Sequence, residues 1–250
     1  MTGFCKGVDW PRQKSDPRFF GRGHEASSRP DPQRGDEVAC TLRESDNTTK
    51  LPSKVRSNEV KMTDISQRLK FIREAERLKN VLRLSHTSEG RQESTAEHTW
   101  RLCLLAMVFE DLLPGLDFAK VLKMCVLHDL GEAIHGDVPA VTQGSSDDKT
   151  QRERRDLLRL VEGLTPELRN EFLSLWDEYA TAASPEAVAV KALDKLETLI
   201  QHNQGINPPH SVDYVFNLSY GRKYTDALPL FAEIRRLIDQ DTQRKAVEMQ

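Results

Sequence analysis

His128 and Asp129 stand side by side at the end of the run Val121-Leu122-Lys123-Met124-Cys125-Val126-Leu127, which is apolar enough to be buried. A carboxylate in such a place is costly unless a cation or a dense set of hydrogen bonds meets it. A divalent metal meets the need of both residues, because imidazole and carboxylate are borderline-to-hard ligands. The plainer alternative is an Arg partner for Asp129 and an internally satisfied His128. His98 lies in Glu93-Ser94-Thr95-Ala96-Glu97-His98-Thr99-Trp100, just before the apolar run that begins at Leu102, and Asp194 lies in Val188-Ala189-Val190-Lys191-Ala192-Leu193-Asp194-Lys195-Leu196. Taken singly, His98 reads as a polar residue at a helix start and Asp194 as a partner of Lys191 or Lys195. Taken in order, His98, His128-Asp129 and Asp194 offer two imidazoles and two carboxylates from three helices. Such a set can hold one ion and leave positions open for water and substrate, as a catalytic metal requires.

The elements that must position these residues are helical. Thr63 or Asp64 can cap a first helix with apolar positions Ile65, Leu69, Ile72, Leu78 and Leu82. Ser94 or Thr95 caps a second, with Glu97 placed for a capping box, running to about Glu110 before Pro114-Gly115. Asp117 opens a third, expected from Phe118 to about Ile134 and ended by Gly136-Asp137-Val138-Pro139. A loop at Gln143–Asp148 precedes a charged helix at about 149–162. Thr165-Pro166 and Ser184-Pro185 start helices at about 166–180 and 185–203, and a last helix covers about 225–240. No stretch alternating with period two runs beyond four residues, and no long repeat appears. The expected fold class is all-α, a helical bundle with a metal site between helices.

Composition bounds the rest. The 250 residues carry 36 Lys+Arg against 39 Asp+Glu, a net charge of −3, which lacks the basic footprint of a nucleic-acid binder. No apolar run approaches the roughly 20 residues of a membrane span. Cys5, Cys40, Cys103 and Cys125 form no C-x-x-C, and the last two read as small core residues in a reducing compartment. With no apolar leader segment at the N-terminus, the expectation is a cytoplasmic protein with no nucleic-acid or membrane partner. Residues 1–62 are expected to be a disordered extension, since 15 of the first 60 residues are apolar against about 80 of the other 190. Periodic sequence begins at Met62, so the segment before it reads as an upstream extension or a gene-model artefact. Residues 63–250 are expected to form one domain. Trp100 and Trp176 read as core, Arg152, Arg154 and Arg155 as a solvated helix face, and His24, His86, His202 and His210 as lacking any chelating arrangement.

The ordered set with its flanks resembles the HD-domain metal-dependent phosphohydrolases, and within them the 5'-deoxynucleotidase branch. Glu93–Trp100 is similar to that branch's E-S-V-[AS]-E-H-S-W stretch, and His128-Asp129-Leu130-Gly131-Glu132 with Gly136-Asp137 to its H-D-x-x-E-x-x-x-G-D run. The similarity covers about Leu69 to Leu199. It implies one divalent metal (Co, Mn, Zn, Fe or Mg) held by His98, His128, Asp129 and Asp194. It places the general acid/base or water-positioning carboxylate on Glu132, on the same helix face as His128, and a second carboxylate near the attacked phosphate on Asp137. The phosphate-orienting Arg falls on Arg83, in Val81-Leu82-Arg83-Leu84, and a guanidinium fork suits phosphate. The branch has Trp after that Arg, where this chain has Leu84. His135 reads as a loop residue or one supporting the ligands. The implied activity is release of phosphate from (deoxy)nucleoside 5'-monophosphates, with a small-molecule nucleotide substrate and a homodimer. The alternatives are another HD-type chemistry, on a phosphodiester or pyrophosphate, or a non-catalytic metal-binding module, for which Glu132 and Asp137 would have no use.

Overall fold

In the computed structural model, residues 62–138 and 146–248 are described. The expected extension up to residue 61 and residues 143–145 of the expected loop lie outside them, whereas Met62 and residues 146–148 are helical, against the expected extension and loop. Helix α1 covers Met62–Ala75 and passes through a tight turn at Glu76–Asn80. The chain then forms a hairpin, β1 (Leu82–His86) and β2 (Gln92–Ser94), paired antiparallel with Leu82 opposite Ser94 and His86 opposite Gln92. The hairpin corrects the expected first helix, which ran through Leu82 and so set Arg83 near a helix C-terminus. Leu78 and Leu82 keep a helical interval, but Leu82 is 54% exposed, and the Thr87–Gly90 turn closes a two-stranded ribbon instead.

Ser94 caps α2 (Thr95–Val108) through a capping box with Glu97, as its sequence predicts. Asp117 caps α3, which is Phe118–Leu127 and not the longer helix expected to Ile134. At His128 the α-helical ladder stops. Leu130 and Glu132 donate back to Leu127 and Asp129 at 3.1 and 2.9 Å, and the His128 carbonyl accepts from the Trp176 indole at 2.9 Å. Helix α4 (Glu132–His135) follows, so His128 and Glu132 do not share one continuous helix face. Gly131 is required in this turn: a Cβ there would lie 2.5 Å from the Glu153 carbonyl of α5 (Ser146–Val161). Thr165 and Ser184 cap α6 (Pro166–Thr181) and α7 (Pro185–Gln204), each with Pro in its first turn.

Helix α7 is the axis of the bundle. Ala189, Val190, Leu193, Leu196 and Leu199 are fully buried, and α2 and α3 pack on it. A helix this enclosed must account for every charge it carries, and α7 buries both Asp194 and Glu197. Beyond it come α8 (Tyr214–Asn217), α9 (Arg222–Thr225) and α10 (Pro229–Glu248). The last helix thus starts later and runs further than expected. Trp176 is core at 2% exposure, whereas Trp100 is 64% exposed on the outer face of α2 and is not a core residue. No described helix is long and apolar enough to cross a membrane.

Candidate active site

Three helices bring the ordered histidines and aspartates together. His98 is in the first turns of α2, His128 and Asp129 are at the broken end of α3, and Asp194 is midway along α7. His98, His128 and Asp194 each offer a ligand atom within 4.8 Å of the others. Asp129 Oδ2 joins them at 2.9 Å from His128 Nε2 and 3.8 Å from His98 Nε2, and Asp194 Oδ1 lies 3.2 and 4.0 Å from the Nε2 atoms of His98 and His128.

Hydrogen bonding decides which ring atoms face inward. His98 Nδ1 donates to Glu197 Oε2, and His128 Nδ1 donates to the Cys125 carbonyl at 2.8 Å. Each neutral ring therefore presents an Nε2 lone pair, and both Nε2 atoms are buried without a hydrogen-bond partner. Asp194 is held the same way from behind: Oδ2 accepts from Tyr179 Oη at 3.1 Å and Lys195 Nζ at 2.7 Å, which leaves Oδ1 toward the histidines. Two lone pairs and two carboxylates facing one another repel unless a cation sits among them, so these residues fit a divalent metal. A proton is the substitute. Burial and Arg83 press His98 down, but Glu197 and Asp194 outweigh them and raise it to about 9.

His128, Asp129 and Asp194 of the donor set line a cavity of about 240 Å³ together with Arg83, Glu132 and Asp137, while His98 is fully buried and does not line it. Arg83 reaches in from β1 with its side chain 12% exposed; Nη2 donates to Thr198 Oγ1 at 3.0 Å, while Nη1 is buried and unpartnered. Burial opposes its charge, but Glu197 and Glu93 hold its pKa above the usual value, so it stays cationic. Glu132 is buried, with Lys149 Nζ 3.4 Å from Oε1 and Thr95 Oγ1 3.5 Å from Oε2. Burial, then Asp129 and Asp137, push it up to about 10 against the pull of Lys149. Asp137 is 3.9 Å from the same ammonium, which also pairs with Glu153 at 3.3 Å.

His135 turns away from this group, half-exposed and paired with Asp156 of α5. Sequence reading missed Glu197, Tyr179 and Lys149. Glu197 carried a usable signal, since a second acid three residues after Asp194 on an apolar helix raises the same burial question as Asp129. Lys149 carried none, because its role depends on how α5 packs against α4.

Imidazole lone pairs and carboxylates gathered at a cavity beside an unspent guanidinium make the donor side of a metal-dependent phosphohydrolase centre. Residues 75–235 match the family model described as HD domain, and the chain belongs to that family. It is 33% identical over 138 residues to the 5'-deoxynucleotidase HDDC2 of Danio rerio, spanning 54% of this chain and 68% of that protein. The Dictyostelium discoideum 5'-deoxynucleotidase HDDC2 is 28% identical over 157 residues, 60% of this chain and 83% of that one. Among solved structures, a predicted metal-dependent phosphohydrolase from Magnetospirillum magnetotacticum MS-1 superposes with a TM-score of 0.62 at 27% identity, covering 74% of this chain and 98% of that chain.

Proposed function

We propose that this protein is a metal-dependent phosphomonoesterase that releases phosphate from nucleoside 5'-monophosphates, deoxyribonucleotides foremost. The observation that carries the reading is the meeting of His128 Nε2 and Arg83 Nη1, each buried without a hydrogen-bond partner, at one cavity, with His98 Nε2 equally unpartnered in the donor set next to it. The names of the relatives supply the nucleotide. His98, His128, Asp129 and Asp194 would hold the metal. A divalent ion there supplies Lewis acidity toward a phosphate oxygen and makes water a nucleophile at neutral pH.

The chain's own residues do the rest. Arg83 receives the phosphate on the donor it has not spent, and Glu93 and Glu197 keep that guanidinium charged and in place. Burial, then Asp129 and Asp137, push the Glu132 carboxyl up against the pull of Lys149, which suits it to give a proton to the leaving 5'-oxygen. Asp137 is the carboxylate available to orient water, and Lys149 holds it beside Glu132. The free thiols Cys103 and Cys125 favour a cytoplasmic setting. For the homodimer that the resemblance implies, the exposed Trp100, Leu104 and Val108 of α2 are a candidate face.

The test is phosphate release from a panel of deoxy- and ribonucleoside 5'-monophosphates with added Co, Mn or Mg, and with EDTA. EDTA-sensitive release of inorganic phosphate is expected, with the deoxy substrates favoured. No release with any metal, or cleavage confined to diesters or pyrophosphates, would overturn the reading.

A further inference from the structure

Three residues of α7 line the cavity at intervals of four: Asp194, Thr198 and His202. On a helix this spacing stacks side chains along one stripe, about 6 Å apart per step along the axis. Asp194 belongs to the metal-binding set, and Thr198 accepts from Arg83. His202 ends the row, roughly 12 Å along the axis from Asp194. Asp129 and Asp194 mark the metal-binding end of the row, and Arg83 meets it at Thr198. Leu84, Val212, Phe216 and Asn217 are also in the lining, and Asn217 touches the His202 ring. Asp213 also lines the cavity, exposed, with Oδ1 accepting from the Phe216 amide at 2.8 Å as the cap of α8.

His202 is held from both sides. Its carbonyl accepts from Asn207 Nδ2 at 2.8 Å and Tyr214 Oη at 3.1 Å, and its Nδ1 accepts from Asn217 Nδ2 at 3.0 Å. Asn217 is itself buried, and its carbonyl accepts from Arg235 Nη2 at 2.7 Å. Arg235, 1% exposed, also grips the Tyr220 carbonyl and Asp239, each at 2.6 Å. A fully buried guanidinium is thus spent on fixing the two cavity-lining residues Asn217 and Tyr220. Because Nδ1 of His202 receives a hydrogen bond, the single proton of the neutral ring is on Nε2, a donor. The ring is partly exposed. A fixed neutral donor beside apolar side chains is the pattern by which pockets orient uncharged ligands.

We propose that His202 is a specificity residue, whose Nε2–H donates to an acceptor on the uncharged nucleoside portion of the substrate, with Asn217 as its positioning residue. The inference rests on the nucleoside monophosphate reading for the class of ligand. It follows that the Asp194 end takes the phosphate and the His202 end takes what the phosphate is attached to.

The test uses the full chain and two probes that divide the substrate: 2'-deoxynucleosides (deoxyadenosine and thymidine) and inorganic phosphate, each titrated by calorimetry with Mn present. His202→Leu is expected to weaken nucleoside binding about tenfold, the worth of one buried neutral hydrogen bond, and to leave phosphate binding unchanged. His202→Gln, which keeps an N–H, recovers part of the loss. In the wild type, imidazole ¹⁵N shifts should report the Nε2–H form. Equal loss for both probes would mark a structural role and overturn the proposal, as would unchanged nucleoside affinity in His202→Leu or no nucleoside binding by the wild type. Nucleoside binding that depends on His202 in a protein that cleaves no nucleotide would sink the phosphatase reading and leave His202 standing. Cleavage with nucleoside affinity indifferent to His202 would do the reverse.

Discussion

His98 and His202 both feel the Arg83 guanidinium, and both are penalised for charge by their surroundings, yet they are driven in opposite directions. Glu197 and Asp194 overcome burial and Arg83 at His98 and raise it to about 9. At His202 burial and Arg83 prevail over the Asn217 hydrogen bond and Glu197, and the ring falls to about 4. Burial lowers both rings, and the carboxylates beside His98 are what turn that one the other way. The metal end of the cavity is built from opposed charges that require a cation. Around His202 the contacts are neutral dipoles, and the buried Arg235 behind Asn217 is spent on the Tyr220 and Asn217 carbonyls and on Asp239.

The most damaging way to break the comparison is to remove a member of the charged set. Asp129→Ala should lose bound metal and phosphate release together, by more than the roughly 10–100-fold that loss of an outer hydrogen-bond partner costs. Metal analysis of the purified variant beside its turnover checks this, and retention of stoichiometric metal would remove Asp129 from the ligand set.

Glu132→Gln should instead keep the metal and lose about 10²–10⁴ in turnover, the usual scale for a positioned acid or base. It carries a second signature. A carboxyl whose folded pKa is about 10, against 4.5 unfolded, binds its proton more tightly in the native state, so the fold loses stability as pH rises through that interval. In EDTA, the Gln variant should melt higher than the wild type at pH 8, with the difference closing toward pH 4.5. A variant that is as active as the wild type would dismiss Glu132 from the chemistry.

A smaller loss is expected from Glu197→Gln, whose carboxylate backs the His98 ring at Nδ1. It leaves His98 with a weaker Nδ1 partner, and metal affinity should fall about 10–100-fold while phosphate release at saturating metal largely returns. Competition against a chelating dye reads the affinity. Unchanged affinity would mean that Glu197 serves only Arg83 and Arg101, whose Nε donates to Glu197 Oε1 at 2.6 Å.

The two ends also differed in how much of them the sequence disclosed. His98, His128, Asp129 and Asp194 were visible because a polar residue inside an apolar helical run is a local anomaly, and local periodicity is what a sequence shows best. The caps at Ser94, Asp117, Thr165 and Ser184 were visible for the same reason. The break at His128 was hidden, because its cause is not local. Trp176, 48 residues on, takes the carbonyl that the next helical turn would have used, and the Glu153 backbone presses on Gly131. The hairpin that carries Arg83 was masked by leucines that happen to keep a helical interval. His202 looked inert because its partners arrive from Asn207, Tyr214 and Asn217, in a stretch of short helices and turns with no period to read.

The finest distinction between the ends is one of pH, in protein stripped of metal. His202 has a folded pKa of about 4 against an ordinary 6.5, so between those values the unfolded chain takes up a proton that the native ring refuses. Stability from this group is full above pH 6.5 and is lost as pH falls toward 4. His98 runs the other way: its folded value of about 9 gives stability that is full below pH 6.5 and is lost as pH rises through 9. His202→Gln should therefore flatten the acid limb of the melting-temperature profile and leave the alkaline limb as it was. The neighbours that act on His202 are Arg83, Asn217 and Glu197, and the substitution leaves all three in place, so a change confined to the acid limb reports the ring itself. If the acid limb keeps its slope, His202 is not held neutral against its tendency to protonate, and the contrast between a charged and an uncharged end of the cavity fails.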